Sequence, residues 1–378
     1  MPSPSASPLI VQIVTRSDTF GGVHAHIVDL VRNPDLNDVR HCVWFGSSSE
    51  MLLPKILASY GISFSIIKYL RPDISILSDL LAVVHILLLN YKKRPSLVHI
   101  HSSKAGIIAR LSCFLTRTPC IFTVHGWSFN STNNPFLTNL YLFLELFLSF
   151  IPRKIICVSH ADYLQGLKLG IPKHKFLVIQ NTSNLFPQPI AKSPISANRP
   201  IKLLTVARLD AQKDHAFLFH ALSNLPKKYS WTLDIVGDGP LLTTLMALAQ
   251  DLFIGDSLNF LGFQSKPDAY YRQSDLFILC SNWEAFPITI LEAMSASLPV
   301  ISSDTGGCNE IVLSGFNGFL FSKSSPSVLS DILVRLFEEP QLLQALSVSA
   351  RTTFDRAFSP SIFNSLIFQV YSSVLKLI

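Results

Sequence analysis

The feature that most limits how this chain can fold is the regular return of short apolar runs, each followed by a segment of helical spacing. LIVQIVT (9–15), HCVWFG (41–46), LVHIH (97–101), CIFTVH (120–125), KIICVS (154–159) and FLVIQN (176–181) form a first group. IKLLTVA (201–207), WTLDIVG (231–237), LNFLG (258–262), LFILC (276–280) and PVISSD (299–304) form a second. A short apolar run without strict in/out alternation reads as a strand covered on both faces, and strands alternating with helices make parallel βαβ units. Between the groups, LFPQPIAKSPISANRP (185–200) holds four prolines and no apolar period, which marks a domain boundary.

The expected fold class is therefore α/β, with two doubly wound Rossmann-like domains facing a cleft. The N-terminal domain would run over 1–185, a linker over 186–200 and the C-terminal domain over 201–355. In the remaining 356–378, SIFNSLIFQVYSSVLKLI puts Phe363, Leu366, Ile367, Val370, Tyr371, Val374 and Ile378 at helical spacing, a helix expected to pack back toward the N-terminal domain. Ligands of such sheets bind outside the carboxyl ends of the strands, so chemistry is sought there.

Composition narrows the class. The chain is 48% hydrophobic and only 15% charged, with 27 Phe among 378 residues. Its most apolar window, FLTNLYLFLELFLSFIP (136–152), carries Asn139 and Glu145 and is short for a membrane span, so a buried or interfacial helix is expected. The opening MPSPSASPLIVQIV has no basic stretch and leads straight into a strand-like run, so no signal peptide is expected. Six cysteines (Cys42, Cys113, Cys120, Cys157, Cys280, Cys308) contain no CxxC pair and read as core thiols. Residues 1–195 hold 18 Lys and Arg against 9 acids, a net +9, whereas the rest is −3. A basic half suggests an anionic partner: nucleic acid, acidic lipid or a phosphorylated substrate. The one tight basic run, Lys92-Lys93-Arg94, lacks the interleaved aromatics of a nucleic-acid surface.

Several strand ends carry residues suited to chemistry. After LFILC comes SNWEAFP, which places Glu284 on a strand-to-helix loop. Pro287 suits a first helical position, and the amides of Ile288 and Thr289 would then open toward an anion with the positive end of the helix behind them. Glu292 lies about a turn further in. Two carboxylates beside a phosphate site serve better as acceptors for sugar hydroxyls, although a capping and a solvated glutamate would look the same in sequence. TVARLDAQKD sets Arg208 and Lys213 past another strand, VGDGP makes a tight turn at Gly237, and TRSDTFGGVHAH places Gly21 and Gly22 before a helix.

EAFPITILEA resembles the E-x7-E motif of retaining GT-B glycosyltransferases of family four. LPVISSDTGGCNEIVLSGFNGFLF, ARLDAQKD, LNFLGF, SDLFILCS and IVGDGP are similar to that family's segments in order and spacing. FGGVHAH, VHIHSSKAGIIARL, TVHGWSF and IICVSHADY resemble a subgroup of bacterial polysaccharide enzymes, so the likeness spans nearly the whole chain. Where that family often reads N-G-[VI]-D, this chain reads QNTSN and keeps Asn181. The resemblance implies a glycosyltransferase that moves a sugar, with retention, from a nucleotide-sugar to a glycan. The acceptor implied is polyprenyl-diphosphate-linked, in surface polysaccharide or lipopolysaccharide synthesis. Arg208 and Lys213 would neutralise the donor diphosphate, Glu292 would take the ribose hydroxyls, and Glu284 would face the donor sugar. Phe286, Ile288 and Thr289 would border it, Gly237, Gly262 and Phe263 would lie near the nucleotide, Gly21 and Gly22 near the diphosphate, and His125 on the donor sugar. His24, His101 and Lys104 would line the acceptor side. No metal and no further cofactor are expected, since no Asp-x-Asp stands at a strand end and a basic pair can do a metal's electrostatic work. A cytoplasmic protein, peripheral on an anionic membrane surface and without nucleic acid, is the implied setting. A nucleotide-sugar 2-epimerase of the same architecture lacks the basic pair and E-x7-E as arranged here. An inactive scaffold would have lost Arg208, Lys213 or Glu292. A glycosidase needs two carboxylates about 5–9 Å apart across a bond, without the phosphate-binding cations.

Overall fold

The structure, a computed structural model, describes residues 7–17, 21–47, 52–130, 134–190 and 199–375. It divides into one unit of residues 1–181 with 361–378 and a second of 182–360. The first contains β1 (Leu9–Val14), α1 (Gly22–Val31), β2 (Arg40–Gly46), α2 (Leu52–Ser59), β3 (Ser63–Ile67), α3 (Ile76–Lys93), β4 (Leu97–His101), α4 (Ser103–Thr116), β5 (Cys120–Val124), α5 (Pro135–Leu148), β6 (Ile155–Cys157), α6 (His160–Lys168) and β7 (Phe176–Val178). The second contains β8 (Ile201–Val206), α7 (His215–Ser223), β9 (Trp231–Val236), α8 (Leu242–Asp251), β10 (Leu258–Phe260), α9 (Asp268–Gln273), β11 (Leu276–Leu279), α10 (Ile288–Ser295), β12 (Val300–Ser303), α11 (Cys308–Ile311), β13 (Gly318–Phe321), α12 (Pro326–Glu338) and α13 (Pro340–Thr353). A last helix, α14 (Pro360–Leu375), belongs almost wholly to the first unit.

Both sheets are parallel throughout. The first runs β3-β2-β1-β4-β5-β6-β7 and the second β10-β9-β8-β11-β12-β13. In each, the order reverses beside the first strand, between β1 and β4 and between β8 and β11. Crossover connections leave on opposite faces at such a point, so a crevice opens above the carboxyl ends of those strands.

The apolar runs are strands because both faces are covered. Along β1, Val11 and Ile13 join a core with α3 and α4, while Ile10 joins a second with α1 and α14. From α14, Phe363, Ile367, Val370 and Tyr371 pack on Ile10, Leu97, Ile121 and Ile156. Several strands end earlier than their apolar runs: residues 179–181, for instance, leave the sheet after Val178. Two edge strands did not stand out in the sequence. β3 (SFSII) is mostly exposed and β13 is a four-residue GFLF, and a strand paired on one side needs no continuous apolar run. Residues 191–198 of the expected linker lie outside the described residues. Phe186, at the linker's start, is buried and its carbonyl accepts from Arg351 Nη1 at 3.1 Å. All six cysteines are buried free thiols. Among the described residues no helix is long and apolar enough to cross a membrane.

Glu145, the charge within the apolar window, is accounted for by a buried ion pair. Arg110 Nη2 meets Glu145 Oε2 at 2.7 Å with both side chains 1% exposed. Arg110 also donates to the Gly106 carbonyl and lies over the Phe122 ring. Removing one partner of such a pair strands a buried charge, at a cost of roughly 3–5 kcal/mol. Glu145→Ala should therefore lower stability by about that amount in urea unfolding, and the double substitution Arg110→Met with Glu145→Leu should recover most of the loss.

Candidate functional site

In the second unit the loops at the reversal point carry the candidate residues. After β8, residues 207–214 lead into α7; after β11, residues 280–287 lead into α10. Asp210 organises the first loop: one carboxylate oxygen takes Arg208 Nη2 at 2.6 Å and the other takes the Lys213 amide at 3.2 Å. Lys213 Nζ donates to Glu284 Oε1 on the second loop, and the Ser281 hydroxyl donates to the same oxygen at 2.6 Å. The loops are also stitched through backbone. The Asn282 amide donates to the Gln212 carbonyl at 2.7 Å, Asn282 Nδ2 to the Ala211 carbonyl at 2.7 Å, and Gln212 Nε2 to the Trp283 carbonyl at 2.9 Å. Lys323 Nζ, just past β13, donates to the Cys280 carbonyl at 2.9 Å and to Asn282 Oδ1 at 2.6 Å, and pairs with Asp214.

Glycine is required where these loops touch other backbone. A Cβ on Gly306 would lie 1.7 Å from the Glu284 carbonyl oxygen, and its φ of +49° already disfavours a side chain. Gly237, at φ +146°, lies so close to the Ala207 carbonyl that a Cβ would approach to 1.9 Å, and its amide donates to Gly262 at 2.9 Å. Phe263, next in that loop, is 42% exposed.

Helix α10 begins at Ile288, with Pro287 one position earlier than expected, in extended conformation at ψ 117°. Proline's fixed φ fits there equally well, and the amides of Ile288 and Thr289 still have no intrahelical acceptor. Phe286 is buried against Phe358, so it offers a ligand backbone and not its ring. Glu292 receives the Tyr271 hydroxyl at 2.6 Å. Burial first, and the facing Glu292 carboxylate second, push the Tyr271 phenol well above its ordinary pKa, so it remains a donor. Ser281, Asn282, Lys323 and Tyr271 were not singled out in the sequence. The first two stand in SNWE itself; Lys323 and Tyr271 lie in stretches with no spacing signal.

In the first unit, Gly21 caps α1. Its amide donates to His24 Nδ1 at 3.2 Å, and His24 Nε2 donates to the Arg16 carbonyl at 3.0 Å, so His24 shapes the glycine turn. Residues 18–20 of that loop lie outside the described residues. Lys104 is held by Asp79 at 2.8 Å and by the Asp73 carbonyl. His101 and His125 belong to a cluster that the sequence did not reveal. His101 Nε2 donates to Gln12 Oε1 at 2.9 Å, which leaves Nδ1 to accept from His125 Nε2 at 3.1 Å. Gln12 Nε2 donates to the Tyr371 hydroxyl at 3.1 Å, and that hydroxyl donates to His99 Nδ1 at 2.6 Å. His26 Nδ1 donates to Asn181 Oδ1 at 2.9 Å, and its buried Nε2 has no partner among the described residues. Burial lowers all four pKa values, that of His26 to about 4, so the imidazoles are neutral near pH 7. Ring nitrogens of His26, His101 and His125 lie within 4.8 Å of one another, a set whose chemistry could hold a zinc-like ion.

Residues 20–185 match the family described as Glycosyltransferase Family 4, and residues 188–353 the one described as Glycosyl transferases group 1. Over 301 residues the chain is 30% identical to the UDP-Gal:alpha-D-GlcNAc-diphosphoundecaprenol alpha-1,3-galactosyltransferase of Escherichia coli, covering 76% of this chain and 78% of that protein. The chain belongs to these glycosyltransferases. This glycosyltransferase is also 23% identical to the capsular polysaccharide biosynthesis glycosyltransferase CapM of Staphylococcus aureus, over 85% of its own length and 88% of that of CapM. Its fold matches that of Anabaena Alr3699/HepE, solved with UDP-glucose, at a TM-score of 0.83 and 21% identity, covering 97% of this chain and 99% of that one. Its two sheets have the GT-B architecture.

The loop after β8 of this glycosyltransferase also leads into a buried histidine. His215, the first residue of α7, is 3% exposed and neither ring nitrogen has a partner among the described residues. Burial, then the nearby Lys213 ammonium, lowers its pKa from 6.5 to about 4, against the opposing pull of Asp210 and Asp214. Below pH 6.5 the unfolded chain takes up a proton that the folded chain refuses. His215 thus supports the fold fully above that pH and progressively less down to about pH 4, by up to ~3 kcal/mol. His215→Leu should flatten the fall of the urea midpoint between pH 6.5 and 4 relative to wild type.

Proposed function

We propose that the protein is a retaining, metal-independent glycosyltransferase that uses a nucleotide-sugar donor and a polyprenyl-diphosphate-linked glycan acceptor at an anionic membrane surface. One observation carries the donor part. The reversal point of the second sheet gathers Arg208, Lys213 and Glu284 beside the open amide end of α10, with Glu292 one turn in. The family and the E. coli relative, named for an acceptor that is a diphosphoundecaprenol-linked sugar, support the acceptor part.

In this reading, Lys213 exchanges Glu284 for a donor phosphate and Arg208 exchanges Asp210. As the bond from the sugar's anomeric carbon to the diphosphate breaks, negative charge grows on the leaving oxygen. Fixed cations then stabilise the transition state more than the ground state. The α10 amides and helix dipole add to that field. The acceptor hydroxyl adds to the same face of the sugar, and its proton passes to the departing phosphate oxygen. Glu284, freed from Lys213, holds the sugar, while Glu292 takes ribose hydroxyls with Tyr271 bracing its other oxygen. The first unit is assigned the acceptor, with Lys104 on that side; His24 and His101, buried with both ring nitrogens engaged, shape the backbone there and do not reach the acceptor.

Lys213→Ala and Glu292→Gln should each weaken nucleotide binding by about tenfold to a hundredfold, the worth of a charge-assisted hydrogen bond at roughly 1.5–3 kcal/mol. Titration calorimetry on folded variants reads this, and unchanged affinity in both would remove them from the site. Glu284→Ala should lower turnover more than nucleotide affinity. Transfer from UDP-sugars, assayed first with UDP-galactose, should persist in EDTA and yield a product with the donor's anomeric configuration by NMR. Loss in EDTA that magnesium or manganese restores would assign the diphosphate to a metal.

A further inference from the structure

The first unit carries a feature that donor chemistry does not use. Helices α3, α4 and α5 cover one face of its sheet, and their inward residues form a single core. Their outward residues are apolar as well: Leu77, Leu80 and Leu88 on α3, Phe114 on α4, and Phe143 and Phe147 on α5 are 57–70% exposed. Neighbouring helices that each expose large apolar side chains are unusual on a soluble surface. Where α4 ends and the chain turns from α5 into β6 there is a cavity of about 810 Å³. Arg117, Arg153, Lys154, His174 and Lys175 line it, and no carboxylate does. Phe114 and Phe150, at 64% and 61% exposed, stand among its walls, so the cavity is continuous with the apolar face.

We propose that this cavity seats the phosphate headgroup of an anionic phospholipid, with the outer face of α3, α4 and α5 resting on the membrane around it. The cavity's cations are set for an outside anion. Lys154 Nζ is braced on the His174 carbonyl at 2.9 Å, and Lys175 Nζ on the Phe150 and Pro152 carbonyls at 2.9 Å. The Arg117 and Arg153 side chains meet no carboxylate among the described residues. Burial, together with the nearby Arg153 and Lys154 charges, holds the Lys175 ammonium below its usual range, a strain that a bound anion relieves. The unit as a whole carries 18 Lys and Arg against 9 acids. Free phosphate would need the cations but not the aromatic walls; a lipid uses both, phosphate inside and acyl chains against the phenylalanines. The inference deepens the membrane part of the proposed function and rests on that reading only for its biological setting.

The test uses the full chain and vesicles of phosphatidylcholine with and without phosphatidylglycerol. Cosedimentation should show binding that needs phosphatidylglycerol and weakens with salt without vanishing. Arg117→Asn with Arg153→Gln should weaken it about thirtyfold, at about one Lys or Arg contribution each; asparagine suits Arg117, whose φ is +54°. Lys202→Gln with Lys227→Gln removes the same charge from the second unit and should change binding less than threefold. Phe143→Ser with Phe147→Ser should abolish the salt-resistant part. Equal effects of the two charge pairs, or binding indifferent to phosphatidylglycerol, overturn the proposal. So does release by inorganic phosphate beyond that by chloride of equal ionic strength, which would make the cavity a free-phosphate site. Self-association that the phenylalanine pair abolishes, with vesicle binding intact, would make the face a contact between copies. Transfer to a lipid-free acceptor should be the same in the arginine pair and wild type; absence of transfer in wild type would count against the proposed function and leave the vesicle result standing.

Discussion

A parallel sheet covered on both faces has room for charge only at the ends of its strands. In this protein that constraint decides where chemistry can be. The central strands are sealed: Ile10, Val11 and Ile13 of β1 and Leu203 and Leu204 of β8 are fully buried. A lone ion there would meet no water and no partner. The reversal of strand order then selects which ends open into a crevice, and in the second unit these are the ends of β8 and β11. Arg208, Lys213 and Glu284 follow those two strands within a few residues, and the positive end of α10 faces the same place.

What keeps those side chains in position is mostly backbone. The loop with Glu284 rests on Gly306, and the turn after β9 rests on the Ala207 carbonyl through Gly237. Contacts this close leave little play, and the Gln212–Asn282–Lys323 bonds fasten the same loops from the side. The internal pairing of Lys213 with Glu284 has a further consequence. Each group keeps a neutralising partner when no ligand is present, so neither is left as an uncompensated, mostly buried charge.

The first sheet departs from the rule in one place. Gln12, His99, His101 and Thr123 are polar and fully buried, and they are tolerated because almost every polar atom has a partner. Tyr371 closes the network from α14, bonding Gln12 and His99 from far along the chain. The outside of the same unit departs in the opposite sense, with leucine and phenylalanine facing solvent on α3, α4 and α5. An isolated helix of that composition reads simply as core.

The sequence by itself determined the two sheets, because a strand buried on both faces must be written as an apolar run. It also placed Arg208, Lys213, Glu284 and the glycine turns at strand ends, with Glu292 a turn into the following helix, because a strand sealed on both faces leaves charge to the loops at its ends. The edge strands β3 and β13 were hidden, since a strand with one neighbour needs no such run. Pro287 stands just before the helix and not at its first position, a difference the sequence does not encode because proline's φ fits both sides of a helix start. Only tertiary structure paired Lys213 with Glu284 across 71 positions, Tyr271 with Glu292 across 21 and Tyr371 with His99 across 272. It also showed which side of α5 faces outward and gathered Arg117, Arg153 and Lys175 around one cavity. Local spacing is written along the chain; a hydrogen bond or a pocket between distant segments depends on strand order and crossover, which no local pattern encodes.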